Sequence, residues 1–283
     1  MTDETIAKTQ EIERYGVMGY PVSQSRSPLI HRLFSMQMNQ RIQYELLQVS
    51  PEQLETAILQ FRRTGGKGLN ITVPHKSEVV RLVDHLSDRA AAAGAANTLS
   101  FKKNEVYGDN TDGVGLIRDL TINQDVTIED ARILILGAGG ATRGIVGPLL
   151  EMKPELLQVA NRSMGKAQMI ADIFASAGPV NACQFDAVPV VKPYDIIINA
   201  TSAGLKGEEP PWPSAAISTD TFCYDLSYGL KPTPFSTWAK DAGAKKSVMG
   251  WGMLVEQAAE SFNIWRGVRP ETGPVLKKMN VAV

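Results

Sequence analysis

The sequence feature that most constrains the fold is an apolar run at 131–137 (ARILILG) that passes directly into a glycine-rich turn at 137–141 (GAGGA). The apolar residues are continuous rather than alternating, which is typical of a strand buried on both faces of a parallel sheet. Glycine permits a tight turn and a close approach of the backbone to its neighbours. A strand, a turn and a helix-like segment in this order predict α/β architecture.

Similar apolar runs alternate with helix-like segments along the rest of the chain. They fall into an N-terminal group and a central group, at 15–20 (YGVMGY), 42–49 (IQYELLQV), 67–74 (KGLNITVP), 156–163 (LLQVANRS), 195–204 (DIIINATSAG) and 221–228 (TFCYDLSY). In a chain of 283 residues, two such groups predict two domains, each with its own mostly parallel sheet. A final amphipathic helix is indicated by the apolar residues Leu254, Ala258, Phe262 and Trp265, with Gln257 near the edge of the stripe.

Composition restricts the kind of partner that this protein recognises. With 43% hydrophobic and 21% charged residues, the chain resembles an ordinary globular protein. Its formal net charge of -1 provides no long-range field that would favour DNA, RNA or an anionic membrane. We therefore expect a small-molecule substrate, no nucleic acid and no membrane. A monomer or a homodimer is expected, since the sequence itself does not fix the oligomeric state.

Cysteines, histidines and the N-terminal segment bear on metal binding and location. Cys183 and Cys223 lie outside any CxxC pattern and the three histidines form no metal-ligand spacing, so we expect no metal and no disulfide framework. Residues 1–13 are polar and lack the apolar core of a secretion signal, and no apolar run approaches the roughly 18 residues of a membrane span. This pattern is typical of a cytoplasmic protein with a frayed N-terminal tail.

The glycine-rich turn also predicts a ligand. Backbone N–H groups in such a turn approach a pyrophosphate at the start of a helix, where unsatisfied donors and the helix dipole favour negative charge. The turn departs from the strict GxGxxG pattern because Thr142 stands at the third glycine position. In a strand, turn and helix context, the turn still predicts dinucleotide binding.

The end of the next strand indicates which dinucleotide is bound. An NAD-specific site carries an acidic residue about twenty residues after the glycines to bind the ribose hydroxyls. Here that place is taken by Asn161, Arg162 and Ser163. The planar guanidinium of Arg162 suits a phosphate, and Lys166 adds a cation one helical turn later, although both residues also fit as ordinary solvated charges. The missing acid favours NADP(H).

Three polar clusters follow strands of the first half, at the sheet edge where α/β proteins bind ligands. The clusters are the segments 25–27 (SRS), 70–76 (NITVPHK) and 110–112 (NTD). Each also has a purely structural explanation. Ser27 suits the N-cap of a helix that has Pro28 as its first residue. Thr72 suits a strand and Asp112 suits a turn or a helix cap, so none of these residues identifies a site when taken singly.

Taken together, the clusters and the glycine-rich turn resemble the shikimate dehydrogenase family over nearly the whole chain, from Tyr15 to about Val268. The matching segments are SRSP at 25–28, NITVPHK at 70–76, AGAANTL at 93–99, GDNTDG at 108–113, GAGGA at 137–141, NATSAG at 199–204 and GWGMLVEQA at 250–258. So many matches in the same order indicate a member of this family. Lys166 departs from the pattern, since arginine is common there in the family.

The resemblance implies an α/β fold with two domains. A substrate and catalytic domain with a mostly parallel sheet would comprise 1–111 plus 250–283. A Rossmann-type NADP-binding domain would comprise 112–249. The cleft between them would hold the substrate and the nicotinamide together, and Gly250 and Gly252 would lie at the hinge where the chain re-enters the first domain.

The resemblance also implies site residues, position by position. The catalytic pair would be Lys76 and Asp112. The substrate pocket would be lined by Ser25, Ser27, Asn70, Thr72, Lys76, Asn97, Asp112, Tyr228 and Gln257. The cofactor would contact Gly137, Ala138, Gly139, Gly140, Ala141, Asn161, Arg162, Ser163, Lys166, Thr201, Leu226 and Gly250. Hydroxyl and amide groups both donate and accept hydrogen bonds, which suits a substrate ring with several hydroxyls and a carboxylate.

The implied reaction is the reversible NADPH-dependent reduction of 3-dehydroshikimate to shikimate, a step of chorismate and aromatic amino-acid biosynthesis. Hydride arriving at the ketone carbon leaves an alkoxide that must receive a proton, so a nearby cationic donor stabilises the transition state and supplies that proton. Lys76 suits this role, and Asp112 would hold the ammonium in place. His75 is an alternative donor, but the family motif places the function on the lysine.

Other functions also fit parts of the pattern. A quinate/shikimate dehydrogenase would use the same pocket with looser cofactor choice, but it is expected to carry an acid after the second strand of the cofactor domain. A nucleotide-binding regulator without catalysis would have no need of both Lys76 and Asp112. A folate or amino-acid dehydrogenase shares the two-domain plan, but the paired serines and the NxTxPxxK element fit the shikimate family better.

Overall fold

The structure is a computed structural model that describes residues 11–201 and 211–279. The start of the tail, at 1–10, and the last residues of the NATSAG motif, at 202–204, lie outside the described residues. The described residues form two six-stranded sheets with helices packed against them. The prediction of α/β architecture with two sheets is therefore confirmed.

The first sheet is built from β1 to β6 and the second from β7 to β12. The strands are β1 Glu13–Gly19, β2 Ile42–Gln48, β3 Gly66–Ile71, β4 His85–Leu86, β5 Thr98–Lys102, β6 Glu105–Asp109, β7 Arg132–Leu136, β8 Leu156–Ala160, β9 Val180–Cys183, β10 Ile196–Asn199, β11 Phe222–Asp225 and β12 Lys246–Met249. The helices are α1 Ser27–Gln37, α2 Leu54–Arg63, α3 Asp88–Ala93, α4 Asp112–Arg118, α5 Gly140–Glu151, α6 Met164–Phe174, α7 Pro234–Asp241, α8 Trp251–Arg266 and α9 Gly273–Lys278. A π-helical turn at Asp119–Asn123 extends α4.

The first sheet has the strand order β2-β1-β3-β5-β6-β4. β1 is parallel to β2 and β3, and β4 is parallel to β6, whereas β5 is antiparallel to both β3 and β6. β5 and β6 form a hairpin because Lys103 and Asn104, which join them, make a two-residue turn with φ of 48° and 68°. Positive φ at both positions is characteristic of hairpin turns that match the twist of the strands. The sheet is mostly parallel, as predicted, with one hairpin inserted.

The second sheet has the order β12-β11-β10-β7-β8-β9, and every pair in it is parallel. On β7, Ile133 and Ile135 contribute to one apolar cluster, while Leu134 and Leu136 contribute to another. Alternate side chains of a strand point to opposite faces, so this sheet is buried on both faces. The continuous apolar runs of the sequence arise from this double burial.

Helix α8 follows the second sheet in sequence but packs against the first. Its Phe262 shares an apolar cluster with Phe34 of α1 and Leu276 of α9. Trp265 donates from Nε1 to the backbone oxygen of Leu99 at 2.9 Å. Gly68 on β3 makes room for this indole, since an added Cβ would lie 2.4 Å from Nε1. The C-terminal helix thus returns to the N-terminal half of the chain.

Helix α4 lies between the two halves of the molecule. A Cβ added to Gly115 would lie 2.7 Å from Cβ of Gln257 on α8, and one added to Gly113 would lie 2.3 Å from Cγ of Pro148 on α5. Side chains at these two positions would therefore push α4 away from both neighbouring helices. The two glycines allow close packing on either side of α4.

Three of the edge strands have no counterpart among the apolar runs of the sequence. β4, β9 and β12 are two to four residues long, and each lies at an edge of its sheet. An edge strand is half exposed and frequently short and polar, which protects the sheet from pairing with other chains. Such a strand carries no continuous apolar run by which it could be recognised.

Further observations concern the membrane, disulfide and metal expectations. None of the helices in the described part of the chain combines the length and the apolar character that a membrane span requires. Cys183 and Cys223 are buried free thiols. Over 11–201 and 211–279, no three or more His, Cys, Asp and Glu side chains are grouped so that they could hold a metal ion.

Candidate active site

A pocket of about 190 Å³ lies where the carboxyl ends of strands from both sheets face each other. All nine residues of the predicted substrate set line it, namely Ser25, Ser27, Asn70, Thr72, Lys76, Asn97, Asp112, Tyr228 and Gln257. Three residues of the predicted cofactor set also line it, namely Ala141, Leu226 and Gly250. The structure therefore brings residues from most of the chain length into one cavity.

Lys76 and Asp112 form an ion pair in this pocket, although they are 36 residues apart in sequence. Lys76 Nζ donates to Asp112 Oδ2 at 2.6 Å, and the two side chains are 24% and 7% exposed. Lys76 lies in the turn after β3, which is held by a hydrogen bond from the N–H of Ala96 to its backbone oxygen at 2.8 Å. Asp112 is the first residue of α4. The ammonium is thus fixed at the pocket wall while part of it stays accessible.

Asn97 holds the other oxygen of Asp112. Its Nδ2 donates to Asp112 Oδ1 and to Thr111 Oγ1, both at 2.9 Å. Its Oδ1 accepts the backbone N–H of Thr111 at 2.9 Å and the hydroxyl of Thr98 at 2.9 Å. Because both ends of the amide are engaged, its orientation is determined by the network. Asp112 therefore has a defined rotamer before any ligand binds.

Ser25 and Ser27 are adjacent, but Ser27 is not the N-cap that its sequence context suggests. α1 is already helical at Arg26, which occupies the N-cap position with φ of -89° and ψ of -3°, and Ser27 is the first helical residue. Arg26 makes no side-chain capping hydrogen bond, and the N–H of Ser27 instead donates to the Oγ of Ser25 at 3.3 Å. The Oγ of Ser25 also lies 3.2 Å from that of Ser27. The prediction of Ser27 as N-cap with Pro28 at the first helical position is wrong by one residue, and both serines line the pocket.

Asn70 is held by residues that the sequence did not single out. The hydroxyl of Tyr44 donates to Asn70 Oδ1 at 2.7 Å, and Asn70 Nδ2 donates to Ser261 Oγ at 3.0 Å and to the backbone oxygen of Asn97 at 3.1 Å. Burial raises the pKa of Tyr44, so the hydroxyl remains a donor at neutral pH. Ser261 follows Gln257 by four residues and shares its helix face, so helical periodicity could have indicated it as a site residue. No sequence pattern indicated Tyr44.

Gln257 and Tyr228 come from the C-terminal part of the chain. Gln257 on α8 accepts from Asn97 Nδ2 at 3.3 Å and donates to the backbone oxygen of Leu254 at 2.8 Å. The ring of Tyr228 lies 4.7 Å from that of Trp251. Burial raises the pKa of Tyr228 although the positive charge of Arg26 opposes the shift. Its hydroxyl is therefore neutral and able to donate at physiological pH.

Thr72 and His75, from the same segment as Lys76, have different surroundings. Thr72 lines the pocket, and Gly19 makes room for it, because an added Cβ there would lie 2.4 Å from Thr72 Cγ2. His75 is buried, and its Nε2 is 2.8 Å from the backbone oxygen of Val49. His75 does not line the pocket. Its position away from the cavity disfavours it as the proton donor.

The glycine-rich turn starts the helix α5 beside this pocket. Gly137 has φ of 110°, and a Cβ there would lie 3.0 Å from the backbone of Ala200, so a side chain is excluded by conformation and by space. Gly139 occupies the N-cap position, no side chain caps the first N–H groups of α5, and nothing lies within 4 Å of a Cβ added there. Thr142 is buried and donates to the backbone oxygen of Gly137 at 2.9 Å. The open helix start fits a pyrophosphate.

The other residues of the predicted cofactor set surround this turn. Asn161 donates from Nδ2 to the backbone oxygen of Ser163 at 3.0 Å, which shapes the turn before α6. The side chains of Arg162 and Lys166 are exposed and make no hydrogen bond or ion pair with the described residues. The N–H of Thr201 would lie 3.1 Å from a Cβ on Gly137. Two unpaired cations beside an open helix start fit a ligand with more than one phosphate group.

The fold and this cleft define a class of protein. Dinucleotide-dependent α/β dehydrogenases bind the dinucleotide at a glycine-rich turn of a parallel sheet and a small polar substrate in an adjoining cleft. This chain has both features. Comparison with known proteins identifies the family within the class.

Family models match three segments of the chain. The "Shikimate dehydrogenase substrate binding domain" matches residues 17–99, "Shikimate / quinate 5-dehydrogenase" matches 120–206, and the "Shikimate 5'-dehydrogenase C-terminal domain" matches 250–279. A shikimate dehydrogenase (NADP(+)) from Alkalilimnicola ehrlichii is 49% identical over 93% of this chain and 97% of its own length. The chain belongs to the shikimate dehydrogenase family.

Solved structures of similar proteins share this fold. An Ael1 enzyme from Pseudomonas putida superposes with a TM-score of 0.90 at 40% identity, covering 95% of this chain and 99% of its own. A shikimate 5-dehydrogenase from Thermus thermophilus, solved with NADP(H) and shikimate, has a TM-score of 0.85 at 28% identity, covering 95% and 99%. The arrangement of two sheets around a cleft is therefore a property that this chain shares with these proteins.

Proposed function

We propose that this chain is an NADP-dependent shikimate dehydrogenase, which reversibly reduces 3-dehydroshikimate to shikimate in aromatic amino-acid biosynthesis. The observation that carries the proposal is the Lys76 and Asp112 ion pair, 2.6 Å long, in a pocket that also adjoins the glycine-rich turn. Membership in the family and the NADP(+) named for the related enzyme support it. The proposed proton donor and the carboxylate that positions it both lie in the described part of the chain.

The pocket residues suit a hydroxylated ring with a carboxylate. Ser25 and Ser27 supply two neighbouring hydroxyls that can donate to the carboxylate. The amides of Asn70, Asn97 and Gln257, together with Thr72 and the hydroxyl of Tyr228, line the same cavity and would bind ring hydroxyls. A site that hydrogen-bonds every hydroxyl discriminates strongly against analogues that lack one, because the site's own polar groups would then be left unpaired.

Lys76 is assigned the proton transfer. NADPH held at the glycine-rich turn would supply the hydride that reaches the ketone carbon. The ketone oxygen then gains negative charge, which the Lys76 ammonium stabilises before it donates a proton to that oxygen. Asp112 keeps the ammonium in position, since its other oxygen is held by Asn97 at 2.9 Å. In shikimate oxidation the same groups act in reverse, with Lys76 accepting the hydroxyl proton.

The cofactor is assigned to the second sheet. Gly137, Ala138, Gly139, Gly140 and Ala141 would hold the pyrophosphate at the start of α5, and Thr201, Leu226 and Gly250 would lie along the path towards the pocket. Arg162 and Lys166, with Asn161 and Ser163 in the same turn, would bind the 2′-phosphate. Lys166 provides a positive charge but not the planar, bidentate guanidinium of an arginine, so Arg162 would contribute more to binding the 2′-phosphate.

The division into domains and the setting of the enzyme are also proposals. Residues 1–111 plus 250–283 would form the substrate domain and 112–249 the cofactor domain, which is supported by the packing of α8 on α1 and on the first sheet. The protein would work in the cytoplasm as a monomer or homodimer on small molecules, without nucleic acid. Buried free thiols at Cys183 and Cys223 are compatible with a reducing compartment.

The proposal is tested by comparing shikimate with quinate. One family model is described as "Shikimate / quinate 5-dehydrogenase", so quinate is the competing substrate to examine. NADP+ reduction followed by absorbance should give a kcat/KM for shikimate that greatly exceeds that for quinate. Comparable values would replace the proposal with a quinate/shikimate dehydrogenase, and no turnover of either would favour a nucleotide-binding regulator.

A further inference from the structure

A second cavity, of about 720 Å³, adjoins the segment that follows Tyr228, whose own side chain lines the substrate pocket. It opens to solvent and is bordered by the start of α1, the segment 229–232, α7, β12 and the end of α9. None of its lining residues lines the substrate pocket. It is therefore a separate cavity, and the reaction assigned above makes no use of it.

The charged residues that line this cavity are all positive. Five cationic residues and no acidic residue line it, namely Arg26, Lys240, Lys245, Lys246 and Lys278. Lys246 donates to the side chain of Gln124 at 2.9 Å. The other four form no side-chain hydrogen bond or ion pair with residues 11–201 and 211–279. In a chain whose formal net charge is -1, this is a local concentration of positive charge that an anion would neutralise.

The cavity also has an apolar wall. Leu29, Leu230 and Trp251 line it, and the side chains of Leu29 and Leu230 are 42% and 88% exposed. Ser247, which lines the cavity too, has a buried Oγ without a hydrogen-bond partner among the described residues. Cations select an anionic group, whereas the apolar residues select an apolar body.

We propose that this cavity binds a small organic anion that carries an apolar ring, of the aromatic carboxylate class. Inorganic phosphate or sulfate would satisfy the cations and leave the apolar wall exposed to water. A neutral aromatic molecule would cover the wall and leave the cations unpaired. An aromatic carboxylate satisfies both.

The cavity is connected to the proposed substrate pocket through two contacts. Trp251 packs against Tyr228 with 4.7 Å between ring centroids, and its Nε1 donates to the backbone oxygen of Gly229 at 3.3 Å. Arg26 stands between Ser25 and Ser27 in sequence and lines this second cavity while they line the substrate pocket. A bound anion would hold Arg26 and Trp251, so it would change the KM for shikimate. This consequence rests on the proposed function, whereas the binding itself does not.

Calorimetric titration of the full chain tests the binding, with benzoate as the aromatic carboxylate, benzamide as its neutral counterpart and sulfate as the anion without a ring. Saturating shikimate is present, so that binding in the substrate pocket is blocked. The double variant Lys240→Gln and Lys278→Gln removes two cations, and Lys277→Gln is the matched control, since Lys277 is exposed on the same helix as Lys278 but does not line the cavity. Thermal melts check that each variant is folded.

We expect benzoate to bind in the presence of shikimate, with affinity reduced roughly tenfold in the double variant and unchanged in the control. Benzamide and sulfate should bind far more weakly. Displacement of benzoate by shikimate, equal affinity in the double variant, or equal binding of sulfate would each overturn the proposal. A chain that binds benzoate in this way but does not oxidise shikimate would contradict the proposed function and leave the new site standing.

Discussion

At the residue scale, the candidate site depends on how Asp112 is held. One oxygen of its carboxylate accepts from Lys76 and the other from Asn97, at 2.6 and 2.9 Å. The peptide N–H of Asp112 in turn donates to Asn110 Oδ1 at 3.1 Å. A carboxylate with this many partners has little rotational freedom. Lys76 is therefore positioned by protein groups, and its ordering does not have to occur at the moment of reaction.

Replacing Lys76 tests its part in proton transfer. Lys76→Ala should reduce kcat by about 10²- to 10⁴-fold, because the developing alkoxide loses its proton donor. KM should change much less, because the lysine acts mainly on charge that develops in the transition state. Steady-state kinetics of shikimate oxidation measure both. Lys67→Ala is the control, since Lys67 is an exposed lysine on β3. An unchanged kcat would remove Lys76 from the chemistry.

Replacing Arg162 tests the choice of cofactor. Arg162→Gln should raise the KM for NADP+ by about tenfold, because charge-assisted hydrogen bonds to the 2′-phosphate are lost. The KM for NAD+, which has no such phosphate, should stay the same. Arg63→Gln, at an exposed arginine that ends α2, is the matched control. An equal rise for both cofactors would show that Arg162 does not recognise the 2′-phosphate.

At the scale of elements, α8 is held against the first half of the chain by close packing at Gly252. The carboxylate of Asp119 occupies the space where a side chain at Gly252 would lie. That carboxylate accepts from the hydroxyl of Tyr224 at 2.5 Å, and the same hydroxyl accepts the N–H of Met253 at 3.2 Å. Three elements, the π-helical turn after α4, β11 and α8, therefore meet at one buried hydrogen-bond cluster.

Gly252→Ala tests this packing. The added Cβ would overlap the Asp119 carboxylate, so α8 must shift, and we expect a loss of about 1–3 kcal/mol in the free energy of unfolding. Because Gln257 lies on α8, the KM for shikimate should rise as well. Urea unfolding and kinetics measure the two effects. Gly273→Ala, where nothing lies within 4 Å of the added Cβ, should change neither. A fully stable Gly252→Ala protein would contradict the packing described above.

At the scale of the whole molecule, a buried carboxylate connects the helices around the cleft. Glu256 on α8 is fully buried. It accepts from Arg118 at 2.9 Å, from Arg269 at 2.9 Å and from the hydroxyl of Thr272 at 2.6 Å. Burial alone would raise the pKa of Glu256, but these hydrogen bonds outweigh it and leave the pKa below its ordinary value of 4.5. The charged form is therefore favoured in the folded protein.

This lowered pKa predicts how stability depends on pH. The contribution of Glu256 is present above pH 4.5 and is lost as pH falls through the folded-state pKa. Glu256→Gln should cost about 3 kcal/mol at pH 7, because Arg118 and Arg269 lose their partner. The difference from the unmodified protein should shrink below pH 4.5. Urea unfolding across pH measures it, with exposed Glu151→Gln as control. A difference that is constant with pH would rule out the assigned linkage.

Much of the fold was predictable from local sequence, for a physical reason. A strand buried on both faces must be continuously apolar, so the second sheet was recognisable from runs such as 131–137. The glycine-rich turn was recognisable because Gly137 adopts a φ of 110° that favours glycine. The edge strands β9 and β12 lack this signal, because half of each is exposed to solvent.

The sequence by itself determined the two sheets and the glycine-rich turn. Through the ordered family motifs, it also indicated which side chains to examine as a site. The tertiary structure alone decided which of those side chains are close to one another. Lys76 meets Asp112 across 36 residues because pairing of β3, β5 and β6 brings their ends together, and no local pattern records that pairing. It also decided that Ser27 begins α1 rather than capping it, and that Tyr44 holds Asn70. Local sequence allows several partners for a polar side chain, and only long-range packing selects among them.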